Sequence, residues 1–464
     1  MIRRLKLFAA CALLGAGCTD APAPRLVLLL TVDTLRADEL GAYGSSRGLT
    51  PHLDELAGQS TLFTAAYAPA AFTLPSIAAL LTGHHPEALG IRSNESGLPI
   101  GVPTLATALG ESGWQAGAVV GNFVLRRESG VARGFQRFDD DFPSHEAVRH
   151  WPERDAANTT DAALELLDGC TQLPAARCFL WVHYQDPHGP YEPPPGWRDR
   201  YLAAERAAPD GRRQLPVGRD HRGLGAIPTY QYMEGRSEVA WYRAGYRAEV
   251  AYMDEQLGRL VAGIEARQRW RDAVVIFAAD HGEALGDHGV WFAHGAGLTD
   301  DQVRVPFMIR RPGEPPARRD DVATLLDVFP TLLAHLGVAS ETAGRSGRDL
   351  FARAAAAGAS VPYMTTLGAL PESQFALVAD GFKFITVERD GVFDGRLYAL
   401  GREDTELGAA SPQLAAQMRE RLRRLRNGVV PVTEAATAEL SEADRERLRD
   451  LGYIERGEES ASHP

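Results

Sequence analysis

Three segments place carboxylates and imidazoles where buried strands are expected to end. Asp33 follows the apolar run LVLLLTV, Asp280 and His281 follow AVVIFAA, and His183 and His188 lie in or after CFLWVHY. The carboxyl ends of parallel strands meet at one edge of a sheet, so these side chains are expected to converge. Carboxylate oxygen and imidazole nitrogen together suit a divalent cation. A single aspartate here is more often a cap or turn residue, so the combination indicates the site.

A threonine hydroxyl precedes a predicted helix in the run AFTLPSIAALL. Thr73 lies two residues before Pro75, and proline favours a first helical turn, which predicts a helix over Pro75–Leu81. Exposed N–H groups and the helix dipole at such a position favour an anion and help an alkoxide to form. A threonine that only caps the helix gives the same local sequence. Nucleophile and cap are therefore both open interpretations of Thr73.

The elements that must position these residues alternate along the chain, which predicts a parallel sheet covered by helices. The predicted strands are Leu26–Val32, Gln115–Gly121, Cys178–Tyr184, Ala273–Ala279 and Val305–Arg310. The predicted helices, besides Pro75–Leu81, are Pro51–Gln59, Asp155–Leu167, Val239–Arg267 and Asp321–Gly337. The segment 193–236 is rich in proline, glycine and arginine with little periodicity, and is predicted to be a long surface excursion.

The last third of the chain changes to short strand signals. These are Val361–Thr366, Phe375–Val378, Phe382–Val387 and Arg396–Leu400, followed by helical patterns over Pro412–Arg426 and from the N-cap Ser441. We therefore divide the chain into a catalytic domain at residues 25–340, a smaller sheet and helix subdomain at 341–430, and a C-terminal helix and tail at 431–464.

The N-terminal residues have the layout of an export leader. Three basic residues precede the apolar run 7–14, which is too short to span a bilayer, and small residues lead to Cys18. The sequence LGAGC resembles a bacterial lipoprotein box, in which Cys18 becomes the lipidated first residue; plain secretion is the alternative. We expect residues 1–17 to be a signal peptide and the chain to be exported, periplasmic or held at the cell envelope through Cys18.

Composition restricts the partners. Of 464 residues, 45% are hydrophobic, which is enough for one large core, and the formal net charge is −12, which argues against a nucleic-acid partner. Beyond the leader the cysteines are Cys170 and Cys178. In an oxidising compartment they could form a short-range disulfide, but two free thiols are an equal alternative.

Several motifs together resemble the sulfatase family of the alkaline phosphatase superfamily. They are VDTLRADELGAYG, TPHLDELA, FTLPSIAALLTGHHPEALGI, FLWVHYQDPHGPYEPP, AADHGEALGDHGVWFAHG, RVPFMIRRPG and LLDVFPTLLAHLGV. They cover most of the chain and follow the family's order. The resemblance implies an α/β fold: an alkaline-phosphatase-like sandwich with a mostly parallel central sheet flanked by helices and a smaller C-terminal α+β subdomain.

The resemblance also implies roles for seven residues. The metal ligands would be Asp33, Thr73, Asp280 and His281. The catalytic residues would be Thr73, His188 and His294. The substrate-binding residues would be Asn94, His188 and His294. The implied cofactor is one divalent metal ion, which could be calcium, magnesium, manganese or zinc. The motifs that resemble the family contain no Asp-x-x-x-His pair of the kind that builds a second metal site in two-zinc relatives, which favours one metal.

Four positions depart from the family's pattern, among them Gly295, which stands where many sulfatases place a lysine. Sulfatases of this family carry Cys or Ser followed by x-Pro-x-Arg, and that Cys or Ser is converted to formylglycine; here Thr73 and Ile77 occupy the two key positions. Thr34 replaces the second of two consecutive aspartates. No formylglycine is expected, because threonine is not a substrate for the conversion.

These departures favour a hydrolase in which Thr73 is the metal-activated nucleophile and forms a covalent threonyl ester. Phosphoester or phosphodiester cleavage or transfer is favoured over formylglycine-type sulfatase chemistry. The alternatives are an arylsulfatase-like sulfuric ester hydrolase that works without formylglycine, and a catalytically degenerate member that binds anionic glycans. The substrate would be a small-molecule, glycan or lipid ester, and its leaving group is not readable from the sequence.

Overall fold

The computed structural model describes residues 24–145, 152–170, 175–219, 221–339, 344–352, 363–365, 373–389, 392–432, 436–437, 441–443 and 445–446. The predicted signal peptide, Cys18 and most of the helix predicted to start at Ser441 lie outside these residues.

An eight-stranded sheet forms the centre of the molecule. Its order is Ala317–Arg319, Thr61–Phe63, Phe307–Arg310, Ala273–Ala279, Leu26–Val32, Cys178–Tyr184, Gln115–Val120 and Arg137–Asp139. The last five of these strands run parallel, and Phe307–Arg310 pairs antiparallel with both of its neighbours. Three central strands, Leu26–Val32, Cys178–Tyr184 and Ala273–Ala279, are buried at every position, which explains their uninterrupted apolar sequences. The predicted α/β fold with a mostly parallel sheet is confirmed.

Helices surround the central sheet, and the last of them packs instead on a second sheet. They span Pro51–Ala57, Thr73–Thr82, Pro86–Leu89, Leu105–Glu111, Ala156–Cys170, Asp199–Ala207, Val239–Ala266, Asp300–Val303, Val328–His335 and Pro412–Asn427. Short strands lie at Ala66–Tyr67, Ser96–Gly97, Ser144–His145, Pro152–Glu153, Ala284–Leu285, Trp291–Ala293, Ala323–Thr324 and Ala436–Thr437. Among the described residues, no helix is both long and apolar enough to cross a membrane.

Two of the sequence predictions are corrected by the structure. The helix predicted over Asp321–Gly337 begins only at Val328, because Ala323–Thr324 pairs with Ala66–Tyr67 and a capping box between Thr324 and Asp327 then starts a helical turn. The excursion 193–236 contains the helix Asp199–Ala207 and buried side chains, so it is not only a surface segment.

A second, antiparallel sheet follows the central one. It has the order Tyr363–Thr365, Gln374–Ala379, Phe382–Arg389, Val392–Ala399 and Arg402–Glu406. Its apolar face packs against the helix Pro412–Asn427, where Phe375, Phe384 and Leu397 meet Met418 and Leu422. Cys170 and Cys178 form a disulfide with Cα atoms 6.1 Å apart, which decides the alternative that the sequence left open.

Candidate metal centre and active site

The parallel strands deliver two carboxylates to one edge of the sheet. Val32 pairs in register with Ala279, so Asp33 and Asp280 are the next residues on neighbouring strands. Backbone hydrogen bonds continue across this edge: Asp280 N donates to Val32 O at 3.1 Å, and Asp33 N donates to Tyr184 O at 3.0 Å. The strand pairing therefore fixes the separation of the two side chains.

Asp33, Asp280 and His281 form a buried group whose ligand atoms all lie within 4.8 Å of one another. His281 Nε2 is 3.7 Å from Asp33 Oδ1 and 3.6 Å from Asp280 Oδ2. Neither of these two carboxylate oxygens has a hydrogen-bond partner among the described residues. His281 Nδ1–H donates to Gly282 O at 3.0 Å, which leaves the lone pair on Nε2. Orphaned buried oxygens facing an imidazole lone pair fit a divalent cation.

Burial shapes the protonation of this group. Burial, and then the neighbouring Asp33 carboxylate, raises the pKa of Asp280 to about 7. The pKa of Asp33 is also well above its usual value because of burial, although hydrogen bonding to Asn122 opposes the shift. Burial lowers the pKa of His281 to about 4, so its imidazole is neutral near pH 7. A positive ion between the buried carboxylates of Asp33 and Asp280 would reduce their electrostatic repulsion.

Thr73 lies in the first turn of the helix Thr73–Thr82, and its side chain is fully buried against the group. Its Oγ1 is 3.4 Å from His281 Nε2. The helix begins two residues earlier than predicted, with Phe72 at the N-cap position, so Thr73 is the first helical residue and not the cap. The hydroxyl thus points to the metal ligands rather than capping its own helix.

Asn94 and Ile77 define the surroundings of Thr73. Asn94 Oδ1 accepts a hydrogen bond of 2.9 Å from Leu74 N, and its Nδ2 has no partner among the described residues. Ile77, at the position of the family's arginine, is completely buried in the main core. An arginine at this position would have to place its charge in an apolar environment.

His294 lies beside His281, and His188 lies beside His294. The ring of His294 is 4.5 Å from that of His281 and 5.2 Å from that of His188, measured between centroids. His188 Nδ1–H donates to Gly189 O at 2.7 Å, and His294 Nδ1 is 3.5 Å from Glu283 Oε2. Burial lowers the pKa of His294 to about 3. All seven candidate residues therefore converge, while their chemical roles stay predictions.

Sequence reasoning missed two polar contacts of the centre. Asn122 Nδ2 donates to Asp33 Oδ2, and its Oδ1 accepts from Val124 N at 2.7 Å, which orients the amide. Asn122 follows the strand Gln115–Val120 by two residues, and this position at a sheet edge was the available signal. Thr34 adopts a left-handed conformation with φ of 54°, and its N–H donates to Asp280 Oδ1 at 3.2 Å. Its backbone thus holds one carboxylate oxygen of Asp280, a candidate metal ligand.

Replacing Asn122 by alanine is expected to weaken metal binding by about 10–100-fold, because Asp33 loses the partner that orients it. Metal titration of the purified protein followed by calorimetry measures the change. Asn158→Ala is the matched control, since its amide bonds to Asp155 on an exposed helix surface. Equal affinities of the Asn122 variant and the wild-type protein would contradict this role.

Comparison with known proteins identifies the family. The family model described as Sulfatase matches residues 25–338, which is more than half of the chain. The chain belongs to the sulfatase family. This family lies within the alkaline phosphatase superfamily, and its members identify the chain as an ester-bond hydrolase.

Three relatives illustrate how far this sulfatase-family chain is similar to known proteins. The Delta 4,5-hexuronate-2-O-sulfatase of Bacteroides thetaiotaomicron is 28% identical over 72% of this chain and 73% of its own length. A protein solved in complex with its substrate D-glucosamine-2-N,6-O-disulfate has a TM-score of 0.71 at 18% identity, covering 87% of this chain and 98% of that chain. Phosphonate monoester hydrolase of Agrobacterium radiobacter has a TM-score of 0.69 at 20% identity, covering 91% and 99%. At these identities the two structures establish the fold alone.

Proposed function

We propose that this protein cleaves or transfers phosphate esters, with Thr73 as the nucleophile and one divalent metal ion as cofactor. The observation that carries the proposal is the position of Thr73 Oγ1, 3.4 Å from His281 Nε2 at the edge of the Asp33, Asp280 and His281 group. Calcium, magnesium, manganese and zinc all accept this donor set.

The residue types at positions 73 and 77 argue for phosphoryl chemistry. Threonine carries a methyl group on Cβ and cannot become an aldehyde, so the hydrate that formylglycine provides to a sulfatase is not accessible here. A hydroxyl nucleophile next to a cation is the arrangement used for phosphoryl transfer, where positioning and charge neutralisation dominate catalysis. Ile77 removes the guanidinium that would otherwise contact the region of the nucleophile.

The metal ligands would be Asp33, Asp280, His281 and Thr73 Oγ1. A cation held by these residues would lower the pKa of the hydroxyl and would neutralise charge on the transferred group. Helix N–H groups at the start of Thr73–Thr82 add further positive potential at the nucleophile. Asn94 Nδ2, which lacks a partner among the described residues, is available to donate to an oxygen of the transferred group.

In the first step, deprotonated Thr73 Oγ1 forms a bond to phosphorus while the bond to the leaving oxygen breaks on the opposite side. His188, protonated on both nitrogens, gives its Nε2 proton to the leaving oxygen. In the second step, neutral His188 takes a proton from water or an acceptor alcohol, whose oxygen attacks the threonyl ester and releases Thr73. His294, held neutral by burial, lies next to His188 and lines the space for the transferred group.

A sulfuric ester hydrolase that works without formylglycine is the second candidate, since sequence relatives such as the Bacteroides hexuronate-2-O-sulfatase carry sulfatase names. Parallel assays of four 4-nitrophenyl esters decide between them. The esters are 4-nitrophenyl sulfate, 4-nitrophenyl phosphate, the diester methyl 4-nitrophenyl phosphate, and 4-nitrophenyl phenylphosphonate. We expect kcat/KM for a phosphorus ester to exceed that for the sulfate by about 100-fold or more. A preference for the sulfate would overturn the phosphoester assignment.

A further inference from the structure

The segment 221–232 packs on His188 and on the strand Trp291–Ala293 that precedes His294. The Tyr230 ring stacks on the His188 ring at a centroid distance of 6.2 Å, and Tyr230 OH donates to Phe292 O at 3.2 Å, two residues before His294. Trp291 N also donates to Gly223 O at 2.8 Å. The segment is thus fastened to the strand that leads into His294, and residues next to Tyr230 lie on the His188 side of the site.

Gln231 is the residue of this segment with unexplained chemistry. Its side chain is completely buried, and within the described part of the chain neither Oε1 nor Nε2 has a hydrogen-bond partner. The carboxamide lies against Gly189, the residue after His188, so closely that a Cβ at position 189 would collide with it. Glycine at 189 therefore makes room for this amide beside the histidine.

A buried carboxamide without partners destabilises a fold, and such groups in native proteins normally have a bound partner. In the carboxamide of Gln231, the oxygen Oε1 accepts hydrogen bonds and the nitrogen Nε2 carries two hydrogens that it can donate. Hydroxyl groups both donate and accept, so an alcohol that carries several of them can satisfy both ends of the amide. An aryl leaving group has no such atoms and would leave both ends without a partner.

We propose that Gln231 belongs to the leaving-group subsite and binds hydroxyl groups of the departing alcohol, which makes sugar or polyol esters the preferred substrates. This inference deepens the proposed function and rests on it for the position of the leaving group next to His188. Gln231 acts in specificity, while the chemical steps belong to Thr73 and His188.

The test measures binding, so it does not depend on turnover. Glucose 6-phosphate, glucose 6-sulfate and the two corresponding 4-nitrophenyl esters are titrated by calorimetry into metal-loaded Thr73→Ala protein, with and without Gln231→Met. Methionine keeps the length of the side chain and removes both hydrogen-bonding ends. We expect Gln231→Met to lower the affinity for the bound glucose ester roughly 10–50-fold, because two hydrogen bonds are lost. The affinity for the corresponding 4-nitrophenyl ester should change less than about threefold.

An equal loss of affinity for the glucose and 4-nitrophenyl esters would show a structural role of Gln231 and overturn the proposal. Unchanged affinities would also overturn it, as would a failure of both glucose esters to bind the protein that retains Gln231. Gln256→Met is the matched control: Gln256 is also buried, but its side chain bonds to Arg259 in the long helix Val239–Ala266. The proposed function fails separately, if wild-type protein turns over none of the esters or Thr73→Ala keeps its activity.

Discussion

Thr73→Ala is expected to lower kcat by about 10⁵-fold or more, because the variant removes the atom that forms the covalent ester. Thr73→Ser should keep a large part of the activity, since it retains a hydroxyl at the start of the same helix. Steady-state kinetics on the best substrate of the ester panel gives the ratio. Mass spectrometry after a rapid acid quench should find the added phosphoryl group on the peptide that contains residue 73, and should find no formylglycine there.

Thr82→Ala is the matched control for this experiment. Thr82 is a buried threonine in the same helix, and its hydroxyl donates to Ala78 O at 2.7 Å instead of facing the metal ligands. It should lose stability but keep kcat. If Thr73→Ala hydrolysed its substrate at the wild-type rate, Thr73 would have no part in the mechanism and the proposed function would be lost.

Asp280→Asn is expected to abolish stoichiometric metal binding and, with it, activity. The variant replaces an orphaned anionic oxygen by a neutral group in a site that is completely buried. In metal-free buffer it should be as stable as the wild-type protein or more stable, because the repulsion between Asp33 and Asp280 disappears. Adding metal at 100 times its Kd should stabilise the wild-type protein by about 2.7 kcal/mol and leave the variant unchanged.

Thermal unfolding with and without metal, together with elemental analysis, measures both effects. Asp327→Asn is the control: Asp327 is also buried, but it accepts hydrogen bonds from Arg348 N and Thr324 N. This variant should retain one equivalent of metal. If metal still stabilised the Asp280→Asn variant, the metal would bind at a site that does not include Asp280. A wild-type protein that binds no metal would support the degenerate, glycan-binding alternative.

Much of the centre could be predicted because its ligands follow strands that are buried on both faces. Asp33 directly follows the run LVLLLTV, and Asp280 directly follows AVVIFAA. Both strands have the predicted bounds. Continuous apolar residues can belong only to a strand or helix buried all round, and β-branched content with short length favours the strand. His188 was indicated by its position after the strand Cys178–Tyr184, whereas His294 and Asn94 came only from the family resemblance, since no local pattern distinguishes these two from ordinary loop residues.

Local patterns failed where partners distant in sequence decide the structure. The segment from Asp321 has helical spacing, yet Ala323–Thr324 forms a strand because Ala66–Tyr67 is available to pair with it. The proline- and glycine-rich excursion packs Tyr230 and Gln231 against the His188 loop, and nothing in its own sequence indicates those contacts. Asn122 likewise needs Asp33 beside it before its amide has a role.

The sequence by itself determined the fold class and the sheet-edge carboxylates, because these depend on residue type and on periodicity along a single segment. The family resemblance added that threonine replaces a formylglycine precursor at position 73. Only the tertiary structure decided that Thr73 Oγ1 faces His281, that Cys170 and Cys178 are bonded, and that Gln231 lies buried next to Gly189. Those facts depend on distances between segments, and such distances are set by how strands pair and helices pack rather than by any one segment.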